Sequence, residues 1–153
     1  MTAGYSGTPL AKKLNLKDGL RTWWCGMPDS VRAEIDREGL VLTVLETPEP
    51  PIEAAHIFVT ERAMLECQLR LLLPLLAPSG FIWVSWPKKA AKVATDITED
   101  TIREVALPLG LVDVKVCAVD AIWSGLKLMI RRSERSTRCL LLRIGRISTI
   151  RLS

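Results

Sequence analysis

An open α/β sheet in three layers, with about six mostly parallel strands ending in an antiparallel hairpin, is the fold class the sequence predicts. Three observations predict it. Short apolar runs alternate with segments of helical period. The apolar runs are continuous, as expected for strands buried on both faces. Glycine, proline or Asp-Gly punctuation separates them. A length of 153 residues accommodates one such domain.

Thr8-Pro9 reads as an N-cap with proline at the first helical position, opening a helix over Pro9–Leu14. Asp18-Gly19 is a turn into the first strand, Leu20–Cys25, which Gly26-Met27-Pro28 breaks. Asp29 or Ser30 can cap the next helix, Val31–Glu38, and Gly39 ends it. Leu40–Leu45 is the second strand, and the three prolines of Thr47–Pro51 force a connection. Ala55–Val59 is the third strand. Met64, Leu65, Leu69, Leu72, Leu73 and Leu76 recur at helical spacing, so a helix over Glu61–Leu76 follows, with Pro74 as a kink site.

Pro78-Ser79-Gly80 reads as the turn into a fourth strand, Phe81–Ser85. Thr98, followed by Glu99 and Asp100, caps the next helix with acids where the macrodipole favours them. Its buried stripe is Ile102, Val105, Ala106 and Leu109, and Gly110 stops it. Val112–Val119 and Leu126–Arg131 are the fifth and sixth strands, joined through Asp120–Gly125.

A net charge of +4 and a pI near 9.0 invite a nucleic-acid reading until the charge is located. From Arg131 onward there are seven arginines and one glutamate, a net of +6, whereas residues 1–130 carry a net of −2. The basicity belongs to the tail. Residues 1–132 are therefore taken as the domain and 133–153 as a basic extension, expected to be disordered or loosely docked. Within the domain the basic cluster is Lys88, Lys89 and Lys92.

Met1–Thr8 has no apolar h-region, which argues against a secretory signal. The charge-free Leu71–Pro87 is 17 residues long but interrupted by Pro74, Pro78 and Gly80, so it reads as core rather than a membrane span. The four cysteines lie 42, 50 and 22 residues apart without a C-x-x-C pair, and there is one histidine. Reduced thiols, a cytoplasmic location and no metal site are the expectation.

Tyr5–Leu14 (YSGTPLAKKL) and Trp86–Arg132, with its W-P-K-K start and V-D-A-I-W-S-G-L-K close, resemble a bacterial domain-of-unknown-function family, number 3052. The likeness covers about residues 3–132 and departs at Ala121-Ile122 and at Trp23-Trp24. It implies a compact Rossmann-like domain and no particular activity. The order of elements also resembles a class I methyltransferase core with a segment removed between Leu45 and Ala55, which implies the strand order 2-1-3-4-6-5.

Strands joined by single helices place every strand-to-helix loop on one edge, where open α/β sheets bind ligands. In the first such loop, C-G-M-P-D, Gly26 is the single glycine. Nucleotides and S-adenosylmethionine ask for two or three, so no cofactor is predicted, with those two as alternatives. Glu46, 20 residues after Gly26, is placed for ribose hydroxyls.

Trp86, Lys88 and Lys89, with Lys92, suit a small anion beside an indole face, set against a solvated lysine loop. Trp123 and Ser124 fall on the same edge, where Trp123 and Trp86 would wall one cleft; Arg62 is a charge anchor or a surface residue. His56, the only histidine, reads as structural because no G-x-S-x-G accompanies it. Cys25 reads as a buried thiol.

The functional expectation is a non-catalytic module binding a small anionic ligand or a protein partner at the carboxyl edge of the sheet. Nucleic acid enters only through the Arg-rich tail, whose alternating Leu140, Leu142 and Ile144 leave strand addition open. The alternative is an S-adenosylmethionine- or nucleotide-dependent enzyme with a degenerate first loop.

Overall fold

A computed structural model describes residues 8–133. The element order is α1 (Leu10–Lys13), β1 (Arg21–Cys25), α2 (Asp29–Asp36), β2 (Thr43–Val44), β3 (Ile52–Phe58), α3 (Arg62–Leu72), β4 (Leu76–Pro87), α4 (Glu99–Ala106), β5 (Leu111–Ala118) and β6 (Trp123–Ile130). One six-stranded sheet has the order β2-β1-β3-β4-β6-β5, the order expected. β2, β1, β3 and β4 pair in parallel, and β6 runs antiparallel to both β4 and β5. The basic extension, apart from its first residue, lies outside the described residues, as do Cys139 and the first seven residues.

Period-two alternation sends neighbouring strand residues to opposite faces. Ile57, Val84, Leu126 and Leu128 point to one face, packed with Leu65 and Leu69 of α3 and Ile102 of α4. Ala54, Phe58, Phe81 and Trp83 point to the other, packed with Leu10 and Leu14 from the α1 region and Val31 and Ile35 of α2. Trp83 is fully buried there and donates its indole N–H to the Leu14 carbonyl at 2.9 Å. A buried indole needs such a partner, and this one ties the amino-terminal segment across the sheet.

Several boundaries differ from the sequence reading for identifiable reasons. Pro9 is the cap residue of α1, so Thr8 lies outside it. Pro28 is the cap residue of α2, and its carbonyl accepts from Val31 and Arg32. Asp29 therefore stands inside the first turn, where its charge meets the positive end of the helix. β2 shrinks to two residues because Val41 bonds elsewhere: its N–H donates to the Asp18 carboxylate and its carbonyl accepts from Gly19, both at 2.7 Å.

Pro78-Ser79-Gly80 is part of β4 rather than a turn. Leu76 already pairs with Ile52, and the register shifts before Ala54 pairs with Phe81. This irregularity accommodates a proline that cannot donate to the ladder. A Cβ at Gly80 would sit 2.8 Å from the Ile52 carbonyl oxygen, so only glycine permits the approach. The helical period of Glu61–Leu76 breaks at Pro74, where Leu73–Leu75 forms a 3-10 turn leading into β4. The Thr98 cap is present as expected: its hydroxyl accepts from the Thr101 N–H at 3.3 Å, and Thr101 returns the bond to the Thr98 N–H at 3.1 Å.

β6 begins three residues before the expected Leu126. The Asp120 carboxylate accepts from both the Ile122 and the Trp123 N–H at 2.8 Å, which tightens the hairpin turn. β5 departs from two-sided burial: Asp113–Val116 are exposed because β5 is an edge strand with β6 as its one neighbour. Among the described residues no helix is long and apolar enough to cross a membrane.

Candidate functional site

The four parallel strands finish on one edge of the sheet, and β6 starts there with Trp123 opposite Pro87. Gly26, Glu46, Arg62, Trp86, Lys88, Lys89, Trp123 and Ser124 are all brought to this edge by the ladder. Their side chains then diverge.

Trp86 pairs with Ser124 and Pro87 with Trp123, and directly opposed residues share a face. Trp86 is thus buried on the face covered by α3 and α4. Trp123 lies on the opposite face, edge-on to Phe58 with ring centroids 5.1 Å apart. The two tryptophans do not wall a common cleft, because they are one position apart in a strand ladder.

Arg62 is engaged elsewhere. Its guanidinium reaches Glu104 of α4 at 2.9 Å and Glu66 of its own helix at 3.4 Å, and these carboxylates raise its pKa. It braces α3 against α4. Its backbone N–H donates to Asp96 at 2.7 Å, so Asp96 satisfies an orphan donor at the start of α3. The Thr60 carbonyl accepts from the Thr95 hydroxyl at 2.6 Å and the Asp96 N–H at 3.3 Å. The loop after β4 is thereby stitched to the end of β3. Within that loop Lys88 is half-buried, Lys89 and Lys92 are exposed, and Lys92 adopts φ 55°.

The β1 and β2 ends are arranged differently. Gly26 is exposed and turns the chain at φ +70°, with a would-be Cβ 3.2 Å from the Phe58 carbonyl oxygen. That contact and the positive φ both call for glycine. Glu46 lies two residues beyond β2, exposed, with no hydrogen bond or ion pair among the described residues. Leu45 extends the ladder toward it, its N–H bonding the Thr22 carbonyl at 2.8 Å. Cys25 is half-buried at the end of β1, and Cys25, Cys67 and Cys117 are free thiols.

His56 is mid-strand in β3 rather than at its beginning, and it has a partner the sequence reading missed. Its Nε2 is 2.7 Å from the Ser85 hydroxyl on β4, and its ring stacks on Phe58 at 4.4 Å. Burial lowers its pKa to about 3, so the ring is neutral at physiological pH. The available signal was one polar residue in each of two otherwise apolar runs, His56 in Ala55–Val59 and Ser85 in Phe81–Ser85. The pair is a structural hydrogen bond on the face covered by α1 and α2.

No family model and no curated protein matches the chain. Solved structures do match. A precorrin-6y C5,15-methyltransferase from Geobacter metallireducens GS-15 superposes with a TM-score of 0.53 at 16% identity, over 79% of this chain and 85% of that one. A ribosomal protein L11 methylase from Lactobacillus delbrueckii subsp. bulgaricus gives 0.51 at 10% identity, over 80% and 76%. The B. subtilis M1A22 tRNA methyltransferase TrmK gives 0.50 at 10% identity, over 82% and 65%.

The fold is the Rossmann-like fold of class I methyltransferases, with the antiparallel β4-β6-β5 end. The expectation of a non-catalytic binding module is corrected by these matches. The three proteins named are a methylase and two methyltransferases, so the arrangement is one that enzymes use. The expectation of no cofactor loses its support for the same reason.

Proposed function

We propose that the chain is an enzyme of the methyltransferase type, taking S-adenosylmethionine at the carboxyl ends of β1 and β2. The observation that carries this reading is the unpartnered, exposed Glu46 just past β2. It lies next to a strand that ends in a left-handed glycine turn, in a sheet with the strand order β2-β1-β3-β4-β6-β5.

The residues fit the group. A carboxylate at this position accepts hydrogen bonds from the two hydroxyls of a ribose. Gly26, exposed and without a side chain, lets a ligand approach the backbone of the first loop. When bound, S-adenosylmethionine supplies an electrophilic methyl group. The chain's part is positional, to hold that group in line with an acceptor and convert a bimolecular encounter into an oriented one. Pro28, which has no N–H, removes one backbone donor from the first loop, and with a single glycine the rest of the loop is less open to close approach than a glycine-rich one. More of the recognition therefore falls on Glu46.

Thermal unfolding under increasing S-adenosylmethionine tests the reading. Saturable stabilisation of about 2.7 kcal/mol is expected at 100 times Kd, or roughly 5–10 °C for a chain of this size. Glu46→Ala should lose the shift and unfold at the unliganded temperature. A wild-type protein indifferent to millimolar S-adenosylmethionine and S-adenosylhomocysteine would refute it.

A further inference from the structure

Folding builds a second basic cluster from lysines scattered through the sequence. Lys115 of β5 and Lys127 of β6 oppose each other in the ladder, on the face covered elsewhere by α1 and α2. The Lys127 ammonium is 4.6 Å from the centre of the Phe81 ring and donates to the Asn15 side chain at 3.0 Å. The Lys115 ammonium lies 5.9 Å from the Trp83 ring. From the α1 region, Lys13 reaches the Ala118 carbonyl at 3.4 Å, on the same hairpin. Lys17, exposed two residues after the Asn15 that binds Lys127, completes the group; burial first, then the charges of Lys115 and Lys17, lowers the Lys127 pKa.

Among the described residues, no carboxylate lies within ion-pair distance of Lys17, Lys115 or Lys127. The acids near the other face of the hairpin are engaged: Glu99, Asp100 and Asp113 all bind Arg103. Like charges directly opposed across strands are destabilising. The sheet thus maintains a repulsive arrangement that an anion would relieve.

We propose that this face of the β5–β6 hairpin, with Lys13, Lys17, Lys115 and Lys127, binds the phosphate backbone of a nucleic acid. Charge complementarity names a polyanion, and two features favour nucleic acid over a protein partner. Of the aromatic rings of the face, Phe81 and Trp83 are buried beneath the lysines and Trp123, at the start of β6, is half-buried edge-on to Phe58, so an exposed aromatic anchor of the kind protein interfaces use does not stand beside the lysines. The cluster also adjoins the start of the most basic part of the chain. β6 carries the chain from Lys127 to Arg131 over about 13 Å, and the residues from Arg131 onward hold a net charge of +6. Lysines spread over a surface act as point charges that follow a backbone without reading bases.

Fluorescence anisotropy of labelled 20-nucleotide U-only RNA and T-only DNA, titrated with the full chain between 50 and 300 mM NaCl, tests the proposal. Each neutralised phosphate contributes about 0.7 to the slope of log K against log salt for single strands. The triple variant Lys17→Gln/Lys115→Gln/Lys127→Gln should reduce the slope by about 2 and weaken binding at least tenfold at 100 mM salt. Arg70→Gln, at an exposed position of α3 on the opposite face of the sheet, should change neither by a comparable amount. The single variant Lys115→Gln, at an exposed position, should lower the slope by about 0.7 and keeps the test intact if the triple does not fold. An unaltered slope and affinity in the lysine variants would overturn the proposal. So would displacement of the oligonucleotide by polyglutamate at equal charge concentration. S-adenosylmethionine binding should persist in the triple variant, so this surface and the methyl-donor site fail or stand separately.

Discussion

His56 should make the fold acid-sensitive in a pH range where carboxylates contribute little. In the folded protein its ring is buried against Phe58 and Ser85, with a pKa lowered from 6.5 to about 3 by desolvation. In the unfolded chain the ring titrates near 6.5. Between these values the unfolded state binds a proton that the folded state refuses, so stability rises with pH across the window. The contribution is complete above the unfolded value and declines by about 1.4 kcal/mol per pH unit below it. From pH 7 to pH 5 the loss is about 2 kcal/mol, a substantial part of the 5–15 kcal/mol typical of a domain. Ordinary carboxylates, with reference pKa values near 4, contribute only tenths of a kcal/mol there. Urea unfolding at pH 7, 6 and 5 measures the slope. His56→Gln, which retains a polar end for Ser85 and does not titrate, should flatten it by about 2 kcal/mol over the same interval. Equal pH dependence in the two proteins would refute the reasoning, whatever their stabilities at pH 7.

Other expectations follow from single contacts. Ser85→Ala should destabilise by about 1–3 kcal/mol, because His56 Nε2 is left buried without its partner; denaturant midpoints at pH 7 measure it. Gly80→Ala places a Cβ 2.8 Å from the Ile52 carbonyl oxygen, and such overpacking against backbone should cost about 1–3 kcal/mol, read as a lower Tm. The Asp113 carboxyl is held below its ordinary pKa first by its hydrogen bond to Arg103. Arg103→Gln should return it toward the ordinary range, which a carboxyl-carbon NMR titration would detect as a higher midpoint. Because Asp113 is exposed and its bond screened, the change in overall stability should be small.

The succession of elements was legible because it follows from local signals, namely continuous apolar runs, a proline-dense link and capped helices; the strand order within the sheet came from the resemblance of that succession to a class I methyltransferase core. The placement of Gly26 and Glu46 on one edge was legible for a related reason, since Gly26 directly follows β1 and Glu46 lies two residues past β2. What required the structure was pairing across the chain. The opposite facing of Trp86 and Trp123 depends on the β4–β6 register, which the sequence does not display. The inclusion of Pro78-Ser79-Gly80 in β4 depends on how closely Ile52 approaches. Arg62 reads as a free cation until Glu104, 42 positions away, is placed beside it. Lys127 and Asn15 are separated by 112 positions. The charge division at Arg131 concealed the second lysine cluster, because a net of −2 averaged over 130 residues says nothing about one face of one hairpin.

The central claim, a methyl-donor site at the carboxyl ends of β1 and β2, is tested most directly by amide NMR of the uniformly labelled protein titrated with S-adenosylhomocysteine. The account predicts saturable shifts concentrated at Gly26, Met27, Glu46 and Thr60, absent in Glu46→Ala. Shifts confined to the Lys115 and Lys127 face, or none at saturating ligand, would contradict it.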